Sequence, residues 1–517
     1  MPRNTVQILV SASVLCLITA CAIAQDSRQA PDSQPVAIRG RLIDGSLISI
    51  DGTSFKLVPP LPANLARFEN LNVEIRGRKN SPSGAIEFQP TQRPQVLVPA
   101  WWSVPFLLLL SCISFIPIIN KAFWEHHYRR IAIVLGASTV LLYVSLLGNY
   151  GQLRILETLL DYFKFMSLLV SLFVVSGGIL IEISGPGSPR VNTLILAAGA
   201  VAANLAGTMG ASALLIRPFL RLNKDRIRPF HVVFFIFIVS NCGGALTPVG
   251  PPLFLGYIYG VPFEWTITHC WPAWMVAVGL LLCIFYILDS TKAPRSSSAA
   301  QTRVRVSGGI NFACLGVILF AVFLDKILAN VSSVFEQIPA GALLMNAAAF
   351  TAYKLSNPKN LERNEFSFEP IVEIGFLFIG IFATMVPALD FLAVNAANLH
   401  ITTPGDFYFA SGALSGVLDN APTYLNFLSA AHGIAGLAFS PENMHAFVTG
   451  YGQYLLAVSL GSVFFGACTY IGNGPNFMVK AIADAAGAPT PSFIGYIVNY
   501  TLVFLLPIYV LIWYLFF

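Results

Sequence analysis

From Trp101 to the C-terminus, apolar runs long enough to cross a bilayer recur, and polar breaks interrupt them at corresponding places. The first series covers 103–120, 131–148 and 163–183, then an interrupted pair at 191–217, a long run at 231–260, and a closing run at 270–289. The second covers 308–326, 339–355, 371–389, an interrupted pair at 406–432, then 446–477 and 493–516. Each series reads as three spans, a polar-tipped re-entrant hairpin, a span broken by Gly and Pro, and a closing span. Equal series in two halves are the pattern of an internal repeat. The expected fold is an all-α polytopic membrane protein of two such repeats, 100–289 and 308–517, joined by a polar, flexible linker at 290–307.

Before Trp101 the pattern changes. Arg3, the apolar run Val6–Ala20 and Ala22-Ile23-Ala24 read as a signal peptide (1–24) cut after Ala24. Ile18-Thr19-Ala20-Cys21 also resembles a lipobox, which would lipidate Cys21 instead. Residues 25–99 open on a polar tether and continue in short alternating runs at 36–42, 47–50, 55–58, 71–76 and 85–88. Asp51-Gly52 lies between two of these runs as a hairpin signal. The segment is expected to be a small all-β, OB-like module outside the cytoplasm, with a structural or assembly role.

Composition fixes the class. Of 517 residues, 56% are hydrophobic and 11% charged, with a mean hydropathy of +0.70; a soluble domain carries about 25% charged residues. Soluble enzymes and disordered chains are excluded. The net charge of +5 fits a basic cytoplasmic face on a lipid bilayer, not a nucleic-acid partner. The eight cysteines form no CxxC pair and no zinc spacing. Basic residues set the orientation. Lys121, Arg129, Arg130, Arg190, Arg217, Arg221, Lys224, Arg226 and Arg228 fall on one side together with Lys292, Arg295, Arg303, Arg305, Lys354, Lys359, Arg363 and Lys480. Only Arg154, Lys164 and Lys326 fall on the other. With the N-terminus outside, the first hairpin enters from the cytoplasm and the second from the periplasm, which makes the repeats inverted. The implied location is a bacterial inner membrane.

Four polar breaks at matching positions carry the chemistry: 204–210, 241–252, 418–423 and 469–476. Gly and Pro free backbone groups there, and Asn and Thr supply hard oxygen donors. The candidate binding residues are Asn204, Thr208, Asn241, Gly243, Gly244, Thr247, Asp419, Asn420, Thr423, Asn473 and Asn476, with Na⁺ expected at Asn241, Thr247, Asp419 and Asn473. Asp419 is the acid placed near mid-membrane beside a break. It reads as a proton- or cation-exchanging carboxylate, or else as the N-cap of the following helix. Glu182, Asp325 and Glu373 fall at span ends, and His126 and His127 at an interface.

Phe123-Trp124-Glu125-His126-His127-Tyr128, Asn204-Leu205-Ala206-Gly207-Thr208, Ser240-Asn241-Cys242-Gly243-Gly244, Asp419-Asn420-Ala421-Pro422-Thr423 and Gly472-Asn473-Gly474-Pro475-Asn476 resemble a branch of the ion transporter superfamily. Members of that branch are described as sodium:proton antiporters or citrate transporters. The resemblance covers about residues 100–517 and implies paired re-entrant hairpins, unwound mid-membrane helices and, often, an elevator-like homodimer. Relatives commonly read Gly-Asp-Pro-Pro where this chain has Gly250-Pro251-Pro252, so the first break lacks an acid. The expected function is secondary transport without a cofactor, with Na⁺ and/or H⁺ as coupling ions. Sodium:proton antiport through Asp419 is the first expectation, and transport of citrate or another small carboxylate the alternative. No HExxH or GxSxG motif supports an enzyme.

Overall fold

A computed structural model gives the architecture and describes residues 36–44, 46–50, 52–57, 65–80, 87–90, 94–185, 187–291, 303–329, 338–395 and 401–517. The expected signal peptide, Cys21 and the tether lie outside the described residues, as does most of the linker.

The N-terminal module is a ring of strands. β1 (Val36–Ile43) pairs antiparallel with both β2 (Ser46–Ser49) and β4 (Asn72–Asn80). β2 pairs with β3 (Ser54–Leu57) across a tight turn in which the Gly52 amide bonds Ser49 O at 2.9 Å. β3 runs parallel to β5 (Glu87–Pro90), and β5 returns to β4. The order β1-β2-β3-β5-β4-β1 closes a five-stranded barrel of OB type, and β6 (Gln95–Val96) pairs with β4 outside the ring. Alternation turns Leu42, Leu47, Phe55, Leu57, Val73 and Ile75 inward. That core continues into Trp102, Tyr143, Leu147, Ile155 and Val386 of the helical part, so the barrel is seated on the bundle by burial of shared apolar surface.

Seven helical stretches among the described residues are long and apolar enough to cross a membrane. α1 (Val104–Ile119) is followed by α2 (Lys121–Gly177), whose 57 residues would extend about 85 Å if straight, far beyond the ~30 Å of a bilayer core. Gly148 resolves the excess by adopting φ 53°, ψ −128°, a left-handed conformation that glycine tolerates, and the chain turns back there. A Cβ on Gly151 would lie 2.3 Å from Tyr143 O, a measure of how closely the two arms approach. α2 therefore supplies two spans, and its second arm begins well before the expected 163.

α3 (Pro189–Leu222) starts on a Ser188 cap and breaks at Gly207, φ 68°. Its ends meet: Asn192 and Asn223, 31 positions apart, exchange carboxamide hydrogen bonds at 2.8 Å each way. A straight helix would hold them about 46 Å apart, so α3 is a hairpin. α4 (Pro229–Ile238), a 3₁₀ turn (Cys242–Gly244) and α5 (Pro251–Ile258) form the broken span, and α6 (Phe263–Thr291) closes the half.

The second half is likewise helical. α7 (Gly309–Ala329) and α8 (Ala340–Leu355) precede a short α9 (Pro358–Arg363) and then α10 (Glu369–Asn395). α11 (Pro404–Ser415) and α12 (Asn420–Ile434) form the hairpin, with Phe407 and Phe427 in ring contact across its arms. α13 (Pro441–Phe465), a 3₁₀ turn (Gly466–Cys468) and α14 (Gly474–Ala485) form the broken span, and α15 (Phe493–Phe516) closes it. α15 is π-wound over Ile497–Leu505.

One expectation is corrected here. The linker is not flexible to its end: β8 (Arg303–Ser307) pairs antiparallel with β7 (Leu180–Ser184), because its Val/Arg alternation suits an extended strand. The span-end residues find partners, with Glu182 ion-paired to Arg363 and Asp325 accepting from the Gly341 amide at 2.7 Å. His126 and His127 each bond a backbone carbonyl one turn back.

Candidate functional site

Each break is pinned to the tip of its own hairpin. In the first half the pin is Asn204, whose Nδ2 donates to Ala200 O (3.0 Å) and Gly243 O (2.7 Å) while its Oδ1 accepts from the Leu246 amide (3.0 Å). The Thr247 hydroxyl donates to Asn204 O at 2.6 Å, and Trp274 Nε1 on α6 donates to Gly243 O at 2.8 Å. Gly243 and Gly244 permit this approach. A Cβ on Gly243 would lie 2.6 Å from Ala200 Cα, and one on Gly244 2.4 Å from Thr208 Cγ2. A Cβ on Gly207 would lie 3.3 Å from Val249 O, so the hairpin tip also touches the turn at 248–249 within the break.

In the second half hydroxyls do the pinning. Thr469 Oγ1 donates to Gly416 O at 2.7 Å and accepts the Ile471 and Gly472 amides at 3.1 Å each, and Ser415 Oγ donates to Ser462 O at 2.6 Å. Asp419 caps α12, accepting from the Ala421 amide at 3.1 Å, and the Thr423 hydroxyl donates back to Asp419 O at 2.9 Å.

Three asparagines tie the two breaks together. Asn241 Nδ2 donates to Asn476 Oδ1 (2.7 Å) and Ile236 O (2.9 Å), and Asn473 Nδ2 donates to Asn241 Oδ1 (2.9 Å) and Ser240 O (2.9 Å). Asn476 Nδ2 reaches Gly466 O and Thr469 O, both at 2.8 Å. All three are buried. The first hairpin also leans on the second break, since a Cβ on Gly474 would lie 3.6 Å from Met209 Cε.

These bonds sort the expected donors. Asn204, Asn241, Asn476 and the Gly243 carbonyl are already engaged in holding the backbone breaks. Of the residues expected to share one Na⁺, Thr247 bonds Asn204 O at the first junction, Asp419 caps α12 at the second hairpin tip, and Asn241 and Asn473 bond each other at the crossing. Several buried side-chain oxygens have no partner among the described residues, including those of Ser176, Tyr424, Asn426, Ser459 and Ser462; two of them stand at the hairpin tips, Thr208 Oγ1 at the first junction and Asn420 Oδ1 at the second. A Cβ on Gly466 would lie 3.6 Å from Asn420 Nδ2 and 3.0 Å from Asn241 Oδ1, which places Asn420 beside the crossing. A buried oxygen without a partner costs roughly 1–3 kcal/mol, so two at equivalent places are features to explain. No cluster of three or more His, Cys, Asp or Glu side chains suited to a metal is found among the described residues.

Trp274, Thr469 and Ser415 belong to the site and were not singled out from the sequence. Thr469 lies within a recognised break. Trp274 sits in an apolar span where an indole reads as core.

A protein-family model described as putative citrate transport matches residues 95–517. No curated protein matches the chain.

Proposed function

The chain belongs to this citrate transport family, and from that premise we propose that it carries a small carboxylate of the citrate type through the membrane together with Na⁺. Two unpartnered oxygens at the hairpin tips carry the reading: Thr208 Oγ1 and Asn420 Oδ1, one beside each break, are oxygen donors available to a cation. Backbone carbonyls freed by the breaks complete an oxygen environment of the kind Na⁺ takes at unwound helices. The anion falls to the helix starts. α5, α12, α14 and the second arm of α3 all begin at a break or hairpin tip, and helix N-termini favour carboxylates. Residues 204–210, 241–252, 416–423 and 466–476 contain no Lys or Arg, so the charge of a polyanion is balanced by bound cations and amide dipoles. The two halves insert in opposite senses, with the β-barrel outside and the basic loops inside, as alternating access requires.

The reading is tested by thermal melting of the purified chain. Citrate and Na⁺ together should raise the melting temperature more than either alone, and K⁺ should not replace Na⁺. Absence of any citrate effect across Na⁺ concentrations would overturn it. Sodium:proton antiport is the second reading, favoured by the half-buried acid Asp419 at the hairpin tip. It ranks lower because this carboxylate already serves as a helix cap.

A further inference from the structure

One turn out from Asn420, three more buried hydroxyls have no partner among the described residues: Tyr424 Oη on α12, and Ser459 Oγ and Ser462 Oγ on α13. Tyr424 and Ser462 are 0% exposed and Ser459 1%. Helical spacing puts them on one seam. Asn420 and Tyr424 share a face of α12 four positions apart, and Ser459, Ser462 and Gly466 follow at three- and four-residue steps along α13 and its end. The two helices run antiparallel. They are tied where a Cβ on Gly466 would lie 3.6 Å from Asn420 Nδ2, and where the His432 ring stacks on Phe447 at 3.9 Å. Tyr424 therefore meets α13 one to two turns before Gly466, at the level of Ser462 and Ser459. α5 packs against both helices and closes the third side. A Cβ on Gly256 would lie 2.2 Å from Tyr424 Oη, so glycine is what lets the hydroxyl reach this position.

Residues 251–258, 420–434 and 452–466 contain no Asp, Glu, Lys or Arg, so no ion pair competes for these hydroxyls. A bare cation would leave each O–H proton without an acceptor. Water both donates and accepts, and it takes two to four polar partners. The seam is thus suited to water.

It also leads outward. α12 runs from the hairpin tip to His432, whose Nδ1 donates to Leu428 O at 2.9 Å and leaves Nε2 a buried acceptor without a partner among the described residues. The His432 ring meets Phe439 edge-on at 5.2 Å, and Phe439 and Ser440 line a cavity of about 320 Å³. Arg67 and Gln95 of the β-barrel module line the same cavity, as does the Arg154–Asp390 ion pair (3.3 Å), so it is the outer mouth. Leu428 and Leu455, both fully buried, stand between the hydroxyls and His432 and shut the line here. We infer that this seam is a water-holding passage that admits the coupling cation to Asn420 from the outer mouth, with Leu428 and Leu455 as its constriction. Water held by Tyr424, Ser459 and Ser462 keeps part of the ion's hydration shell until Asn420 Oδ1 takes it over.

The passage rests on the transport reading but not on the organic substrate. In the full-length purified chain, Ser459→Cys exchanges one atom and places a thiol on the seam. Val458→Cys and Leu460→Cys, equally buried on other faces of α13, are the comparisons. A small cationic methanethiosulfonate should modify Ser459→Cys at least about tenfold faster than either, counted in excess of the unsubstituted chain, because the attacking thiolate forms where water solvates it. Adding Leu455→Ala should raise that rate further. Ser462→Ala, melted without Na⁺ or citrate, should lower the melting temperature, because held water loses a partner. In a dry seam the same change removes an unpaired hydroxyl and would raise it. In proteoliposomes, modification of Ser459→Cys should abolish the labelled-Na⁺ uptake that the unmodified protein shows. Equal reactivity at the three positions would overturn the passage, as would a raised melting temperature or uptake that survives modification. Absence of uptake before modification would instead overturn the transport reading, and the passage with it.

Discussion

At the first break Asn204 commits both ends of one carboxamide to the backbone of residues 243–246, whereas at the second Thr469 and Ser415 hold the hairpin through hydroxyls. The first junction has no acid, and the second hairpin carries Asp419 on its tip. Different side chains thus fasten the two breaks, yet each hairpin tip carries a buried oxygen without a partner among the described residues, Thr208 Oγ1 or Asn420 Oδ1. The difference between the halves lies in the fastenings and in the acid. What they share is the leftover oxygen, and that shared feature is the better guide to binding. An Asn at a break is often a fastener, and only its bonding separates the two roles.

The comparison breaks most severely at the crossing. Asn241→Ala removes three hydrogen bonds, two that join the halves and one to Ile236 O, and should cost on the order of 3 kcal/mol. Melting of the purified chain should fall sharply and transport should be lost.

Next come the two fastenings. Asn204→Ala and Thr469→Val each remove three bonds and should each cost roughly 2 kcal/mol. Hydrogen exchange should rise at 243–247 in the first variant and at 416–423 in the second. Exchange rising at both junctions in either variant would mean the halves are not fastened separately.

How much of this was legible follows from where the signals lie. The helix breaks were readable because Gly, Pro and Asn interrupt apolar runs locally, as at Gly207 and at 472–475. The strand alternation of the barrel was readable for the same reason. The roles of Asn204 and Asn241 were not, since a ligand and a fastener need the same residue type. The Arg154–Asp390 contact was also hidden. Arg154 was noted as a rare basic residue on its side, but its acid lies in the third span of the second half. Asp289 was set at the linker boundary, yet it is fully buried against Arg226, His231 and Asn192.

Smaller effects on stability are expected at the leftover oxygens. Thr208→Val removes a hydroxyl that bonds nothing among the described residues, so melting should move by less than about 1 kcal/mol equivalent while affinity for Na⁺ or citrate falls about tenfold. Asn420→Ala should behave alike. Matching losses would sharpen the equivalence of the junctions, and a large loss of stability with unchanged affinity would break it.

The smallest change is expected at the acid, and it bears most directly on the function. Asn caps a helix about as well as Asp, so Asp419→Asn should leave melting within about 0.5 kcal/mol. The decisive measurement is made in proteoliposomes of the unsubstituted chain and of Asp419→Asn, following labelled citrate uptake and internal pH under an imposed Na⁺ gradient. Na⁺-driven citrate uptake by both, with the variant within about threefold, is the expected result. Na⁺-driven proton exchange without citrate, abolished in Asp419→Asn, would contradict it and make the chain an antiporter.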